Sequence, residues 1–152
     1  YDVAVAVGGT ASSLNVAKLR SALQKLMLAN KGELQETPYV AISSYEHDAL
    51  LNEPQVISKD YNGQLVMENG KVKSFLGFNF IITERLSITS GNRLIPVWVP
   101  SGMHLGIWED IVTKIDPLPG KNYATQVYLR GTFGATRLMQ GKVVQILADD
   151  QI

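Results

Sequence analysis

Residues 113–137, TKIDPLPGKNYATQVYLRGTFGATR, decide the fold. From Tyr123 to Phe133 the run alternates. Tyr123, Thr125, Val127 and Leu129 would face one way and Ala124, Gln126, Tyr128 and Arg130 the other, the period of a β-strand. Upstream, Ile111 to Ile115 alternates apolar and polar residues, and Pro117, Pro119 and Gly120 punctuate the junction between the two runs. The longer run is a strand polar on much of one side and almost without candidate catalytic side chains, a surface suited to touching another protein. Arg130 and Arg137 stand near Tyr123 and Tyr128, and mixtures of tyrosine and arginine mark the energetic centres of protein interfaces. These four are the candidate subunit-interface residues.

Toward the beginning of the chain, the clearest element is a helix over 15–31. Asn15 is a good N-cap, and Leu14 before it can pack on Leu19 as a hydrophobic staple. Val16, Leu19, Leu23, Leu26 and Met27 recur at helical spacing as one apolar stripe, which leaves Lys18, Arg20, Ser21, Gln24 and Lys25 on other faces. Lys31 and Gly32 suit the C-terminal stop. Pro38 opens a strand, Tyr39 to Ile42, and Ser43-Ser44 cap a short helix that runs through Leu51, with Glu46 placed for a capping box and Pro54 ending it.

Tyr61-Asn62-Gly63 and Asn69-Gly70 read as turns, and from Lys71 the pattern is β. Val72, Phe75, Phe78, Phe80 and Ile82 surround Gly77, whose place inside a strand predicts a bulge. A polar loop over 87–92 leads to a strand from Leu94 to Val99, with Trp98 packing it down and Pro96 predicting an edge position. Val143 to Leu147 is a last strand and 148–152 a frayed end.

Composition narrows the function. The chain has 152 residues, enough for one core of ordinary size. Basic and acidic residues balance at 14 each and only 18% of the chain is charged, so it lacks the electrostatic footprint for holding nucleic acid. With no cysteine there is no disulfide framework, thiolate metal site or cysteine nucleophile, an inventory compatible with a reducing cytoplasm. No apolar stretch approaches the roughly 20 residues of a membrane helix, and no secretory signal opens the chain.

Candidate chemistry is sparse. Gly8, Gly9 and Thr10 follow a short strand-like run and precede the helix, the outline of a phosphate-cradling loop, but their spacing matches neither the P-loop nor the dinucleotide fingerprint. A small phosphate- or nucleotide-binding enzyme is therefore kept as an alternative from another class. His47 and His104 are far apart in sequence; His47, between Glu46 and Asp48, reads as a solvated helix face, and two scattered imidazoles do not make a zinc site. Glu109-Asp110 and Asp149-Asp150 are adjacent acids, which a strand would turn to opposite faces. The nucleophile elbow Gly-x-Ser-x-Gly is absent. No catalytic residue, cofactor or metal ligand is assigned.

The series Asp116 … Lys121-Asn-Tyr123-Ala-Thr-Gln-Val127-Tyr … Gly134-Ala-Thr-Arg137 … Lys142-Val-Val144 resembles the C-terminal end of the major capsid proteins of tailed bacteriophages with the HK97-type fold. Val72-Lys-Ser-Phe75-Leu-Gly77-Phe-Asn-Phe80-Ile-Ile-Thr83-Glu-Arg85-Leu86 is similar to that family's glycine-centred strand and the step after it, and Asn15 to Gly32 would be its long spine helix. The resemblance implies an α+β fold, with a spine helix, a peripheral-domain sheet made by 1–33 and 111–152, and an inserted axial domain over 34–110. The chain opens at Tyr1, and the resemblance makes it a fragment without the N-terminal arm and extended loop.

It further implies a structural subunit and not an enzyme. Copies would assemble into the pentamers and hexamers of an icosahedral phage or prophage capsid around packaged DNA, made in the bacterial host cytoplasm and resident in the virion. Neither sequence-specific nucleic acid, a membrane nor a small-molecule substrate would be a partner, and the fragment alone is expected to be monomeric or weakly associated. An encapsulin-like nanocompartment shell protein shares the fold and is the alternative within the same class.

Overall fold

The helix predicted near the beginning spans Val16–Ala29 (α1) in the computed structural model, which describes residues 2–3, 6–7, 10–30, 35–57, 67–68 and 71–149. Asn15 caps it, accepting the Lys18 N–H at 2.9 Å. Leu14 and Leu19 are both buried in the same cluster, as a staple requires. The buried stripe is Val16, Lys18, Leu19, Ala22 and Leu26, whereas Met27 is exposed.

The remaining helices are α2 (Ser44–Leu51) and α3 (Pro54–Ile57). The strands are β1 (Asp2–Val3), β2 (Ala6–Val7), β3 (Thr10–Ala11), β4 (Tyr39–Ile42), β5 (Met67–Glu68), β6 (Lys71–Val72), β7 (Ser74–Phe75), β8 (Phe78–Ile82), β9 (Ile88–Thr89), β10 (Asn92–Trp98), β11 (Met103–Leu118), β12 (Ala124–Arg137) and β13 (Val143–Asp149). Seven of them form one mixed sheet in the order β1-β13-β10-β4-β8-β7, with β9 also on β10. The pairs β1–β13 and β4–β8 are parallel and the other pairings in the sheet are antiparallel.

Alternation sorts the faces of this sheet. Ile95 and Val97 of β10 and Val144, Ile146 and Ala148 of β13 point into the core with α1 and Leu50 of α2, while Leu94, Pro96, Trp98 and Leu147 on the other face are half-buried. Trp98 stacks on Tyr39 across the β10–β4 pair, ring centroids 6.0 Å apart.

Three local expectations are corrected. Gly77 is not a bulge: Leu76 (φ 50°) and Gly77 (φ 79°) are the two-residue turn joining β7 to β8, the doubly left-handed geometry of tight hairpins. The polar loop over 87–92 contains a second such turn, Ser90 (φ 53°) and Gly91 (φ 76°), between β9 and β10. Pro96 lies on an interior strand. The Leu94 N–H points to the β9 side, where Ser87 O accepts it at 2.9 Å, so the missing donor of Pro96 points the same way. On that side β10 is paired only at 92–93 by β9 and at 97–98 by β4, and the proline occupies the gap.

The sheet also runs across the expected division of the chain. β13, from the segment assigned to a peripheral domain, pairs along its length with β10, from the segment assigned to an axial one. A boundary at 110/111 falls inside β11. The end expected to fray over 148–152 is instead paired at 148–149, where β13 continues against β10 and Ala148 is buried. The predicted helix stop at Lys31-Gly32, the turns at 61–63 and 69–70, the rest of that tail, and Gly8 and Gly9 lie outside the described residues.

Candidate subunit interface

β11 and β12 form a two-stranded antiparallel ribbon of their own, in register from Met103↔Arg137 to Leu118↔Ala124. At roughly 3.4 Å per residue, the strands reach about 50 Å. Nearly every side chain on them is exposed. The ribbon is longer than the two runs read from sequence because Met103 to Glu109 already pairs with 132–137. Two irregularities of register, between Ile107 and Glu109 and between Glu109 and Val112, interrupt the ladder on the β11 side.

The pairing fixes which residues share a face. Ala124, Gln126, Tyr128 and Arg130 lie with Asp116, Lys114 and Val112, a largely polar side. Thr125, Val127 and Leu129 lie with Pro117, Ile115 and Thr113 on the other; Ile111 and Phe133 join that side, both meeting the space where a Gly131 Cβ would sit. The alternation read from sequence thus holds from Ala124 onward. At the tip, Asn122 (φ 51°) and Tyr123 (φ 55°) are both left-handed, so Tyr123 belongs to the turn and stands 74% exposed. Asparagine tolerates that geometry and an aromatic residue rarely adopts it.

The ribbon springs from a narrow root made by 100–102 and 138–142. Gly102 O accepts the Leu138 N–H at 2.9 Å, Lys142 O accepts the Val99 N–H at 3.2 Å, and Lys142 Nζ reaches Ser101 Oγ at 2.6 Å. The Ser101 N–H donates to the Glu36 carboxylate at 2.9 Å, and this bond holds the Glu36 carboxyl below the usual range. A Cβ on Gly102 would lie 2.7 Å from Lys142 Cβ, and one on Gly141 2.9 Å from Ala29 Cβ. Both glycines permit close approach at the point where the ribbon meets the body.

Of the four candidate residues, Tyr128 and Arg130 share the polar face, Tyr123 is at the tip, and Arg137 is at the root on the opposite face by register. Arg130 is already engaged: its Nε donates to Glu109 Oε1 at 2.9 Å and its second nitrogen bonds the same oxygen. Glu109, one of the adjacent acids noted in the sequence, is therefore an ion-pair partner, and Asp110 accepts the Ile111 N–H.

Elsewhere the side chains serve the fold. His47 Nε2 accepts the Val72 N–H at 3.2 Å, which corrects the solvated reading. Glu46 does not complete a capping box by reaching back to Ser43. Ser43 Oγ accepts the Glu46 N–H, but the Glu46 carboxylate is buried and accepts the Leu14 N–H at 2.7 Å, tying α2 to the start of α1. Lys18, placed by sequence among the residues off the buried stripe, is wholly buried; Nζ donates to Ser12 O and to Leu147 O. Burial pushes its ammonium below the usual lysine range, against the opposing pull of Glu46 and Asp149. Ser44, through its side chain first and then its N–H, which donates to Glu84 at 2.7 Å, holds the Glu84 carboxyl low, and Glu84 also pairs with the buried Arg93 at 3.4 Å.

Thr10 of the phosphate-loop alternative sits in β3, opposite Val7. A strand pair therefore intervenes before α1, and Asn15 already holds the first-turn N–H of Lys18. Among the described residues, no group of three or more His, Asp or Glu could hold a metal ion, and no helix is long and apolar enough to cross a membrane.

A mixed sheet covered on one face by helices, with a long ribbon held out from it, is the HK97-type arrangement. The chain belongs to the phage capsid protein family, which it matches over residues 2–150. Among solved structures it is similar to a chain of Mycobacterium phage Che8, with TM-score 0.69 and 17% identity over 90% of this chain and 51% of that one. It is also similar to a chain from the capsid of the cyanophage P-SCSP1u, with TM-score 0.65 and 16% identity over 91% and 48%. The holo-SrpI encapsulin complex from Synechococcus elongatus PCC 7942 shares the fold more distantly, with TM-score 0.54 and 12% identity over 87% and 50%. The chain spans about half the length of these solved chains. No curated protein matches it.

Proposed function

We propose that this chain is part of a structural shell subunit, many copies of which close an icosahedral phage or prophage capsid around DNA, through pentamers and hexamers. The observation that carries the reading is the ribbon. A two-stranded hairpin is marginal in water by itself, yet this one extends about 50 Å with its side chains uncovered. A strand pair of that kind is stabilised by what it touches in an assembly, and family membership supplies the partner, further copies of the same protein. Tyr123, Tyr128, Arg130 and Arg137 are the proposed contact residues. Arg130, oriented by Glu109, would present a fixed guanidinium edge to a neighbour. No turnover or cofactor enters this role, and its place is the virion shell, after synthesis in the host.

The partition of the subunit that the hydrogen bonds support is a body built on the mixed sheet, β1 and β13 included, with α1 and α2, and a ribbon of 103–137. We propose that these, and not segments divided at 110/111, are the units that meet different neighbours. The nanocompartment alternative rests on the encapsulin likeness, which is weaker than the likeness to the phage chains, and the family match favours the phage reading. Expression of the full gene product followed by electron microscopy tests the proposal: closed shells are expected, and monodisperse protomers under assembly conditions would refute it. Terminase, portal and protease genes beside the coding sequence would separate a phage from a nanocompartment.

A further inference from the structure

The segment that leads into α1 is tied to the body by groups from three elements. Ser12 O accepts both the Lys18 ammonium of α1 and the Asp149 N–H of β13, the latter at 3.0 Å, and the Leu14 N–H donates to the Glu46 carboxylate of α2 at 2.7 Å. Lys18 Nζ also reaches Leu147 O at 3.0 Å, so one wholly buried side chain joins the incoming chain to β13. Glu46 is the opposite charge that bears on the ammonium most, with half-buried Asp149 next. Beyond these bonds and the Leu14 side chain, the hold of the segment on the body is slight. Among the described residues, β1 meets β13 only at Asp2↔Gln145 and Val3↔Ile146, and β2 and β3 pair with each other in a sheet of their own.

We propose that this segment is a strap that opens while the core stays closed, and that the paired charges of Lys18 and Glu46 are its catch. An ion held in a protein interior without an opposite charge is strongly destabilising, more so than the exposure of one leucine. With both charges present the strap stays down and Leu14 stays in the core. Without the Glu46 charge, lifting the strap gives up the burial of Leu14 but returns the Lys18 ammonium to water. β13 does not follow, because seven consecutive pairs hold it to β10 and its Val144, Ile146 and Ala148 side chains remain packed. Local opening of this kind belongs to elements with few links to the core. It lets the chain before α1 change direction relative to the sheet without unfolding it, a property of the single chain that stands or falls apart from the shell-subunit reading.

Amide hydrogen exchange, followed residue by residue by NMR, tests the strap. Glu46→Gln keeps an acceptor for the Leu14 N–H and removes the charge, so protection of the Leu14 and Asp149 amides should fall about tenfold or more, while the amides that bond β10 to β13 keep theirs. Adding Lys18→Met removes the ion that needed a partner, and the double variant should return both amides to within about threefold of the parent chain. Three results overturn the proposal. An unchanged Leu14 amide in Glu46→Gln shows that charge does not hold the segment down. Loss of protection between β10 and β13 as well shows that strap and core open as one. A double variant as unprotected as Glu46→Gln shows that Glu46 acts through its shape and hydrogen bonds and not through its charge.

Discussion

Lys18 and Glu46 show how a single residue can contradict its type. A buried ion is tolerated only when its hydrogen bonds are met and an opposite charge is near. Lys18 meets two carbonyls, and Glu46 supplies charge while accepting the Leu14 N–H. Glu46→Gln keeps an acceptor and deletes the charge, whereas Glu46→Ala deletes both. Urea unfolding should therefore place Glu46→Ala below Glu46→Gln, with a loss of about 3 kcal/mol or more for the alanine variant. The Lys18 ammonium has a depressed native value against 10.5 for the unfolded chain, so as pH rises the native state releases the proton first. Stability from this group is lowest below the native value and recovers as pH approaches 10.5. Lys18→Met should flatten that rise, which unfolding curves at pH 8 and pH 10 would reveal. Sequence could not have placed Lys18 inside, because helical periodicity marks it as off the stripe, and only the carbonyls of Ser12 and Leu147, the latter far along the chain, make its burial affordable.

At the scale of elements, the legible features were those whose cause is local. Asn15 capping α1, the Leu14–Leu19 staple, Pro54 closing α2 and the alternation of β12 all follow from neighbouring residues. The hairpin turns at Leu76-Gly77 and Ser90-Gly91 were missed because leucine and serine seldom take a left-handed conformation, and strand pairing imposes it. Pro96 misled because its tolerance depends on a gap between two strands distant in sequence. The root of the ribbon was equally invisible, being a contact of 100–102 with 138–142 and Glu36. Gly102→Ala drives a methyl group to 2.7 Å from Lys142 Cβ, and overpacking of that kind costs roughly 1–3 kcal/mol. Thermal unfolding should register the loss. Gly120→Ala at the tip, where a Cβ meets nothing within 4 Å, should change stability by less than about 0.5 kcal/mol.

The described residues separate into a part built on the hydrophobic core and a ribbon that contributes nothing to it. The core cluster contains residues of α1, α2 and the mixed sheet and none of the ribbon. A variant in which 103–137 is replaced by a two-glycine link should therefore fold, since Gly102 O and Leu138 N already lie 2.9 Å apart. Its urea midpoint should stay close to that of the parent chain, and electron microscopy of the correspondingly shortened full-length protein should show no shells. Loss of cooperative unfolding on deletion would show instead that the ribbon completes the body.

The same closeness of the two ribbon ends bears on how such a protein changes over generations. Pairs of residues can be gained or dropped at the far tip without disturbing any side chain in the interior. The length of the ribbon is thus a quantity that mutation can adjust, while the core that folds the rest stays fixed.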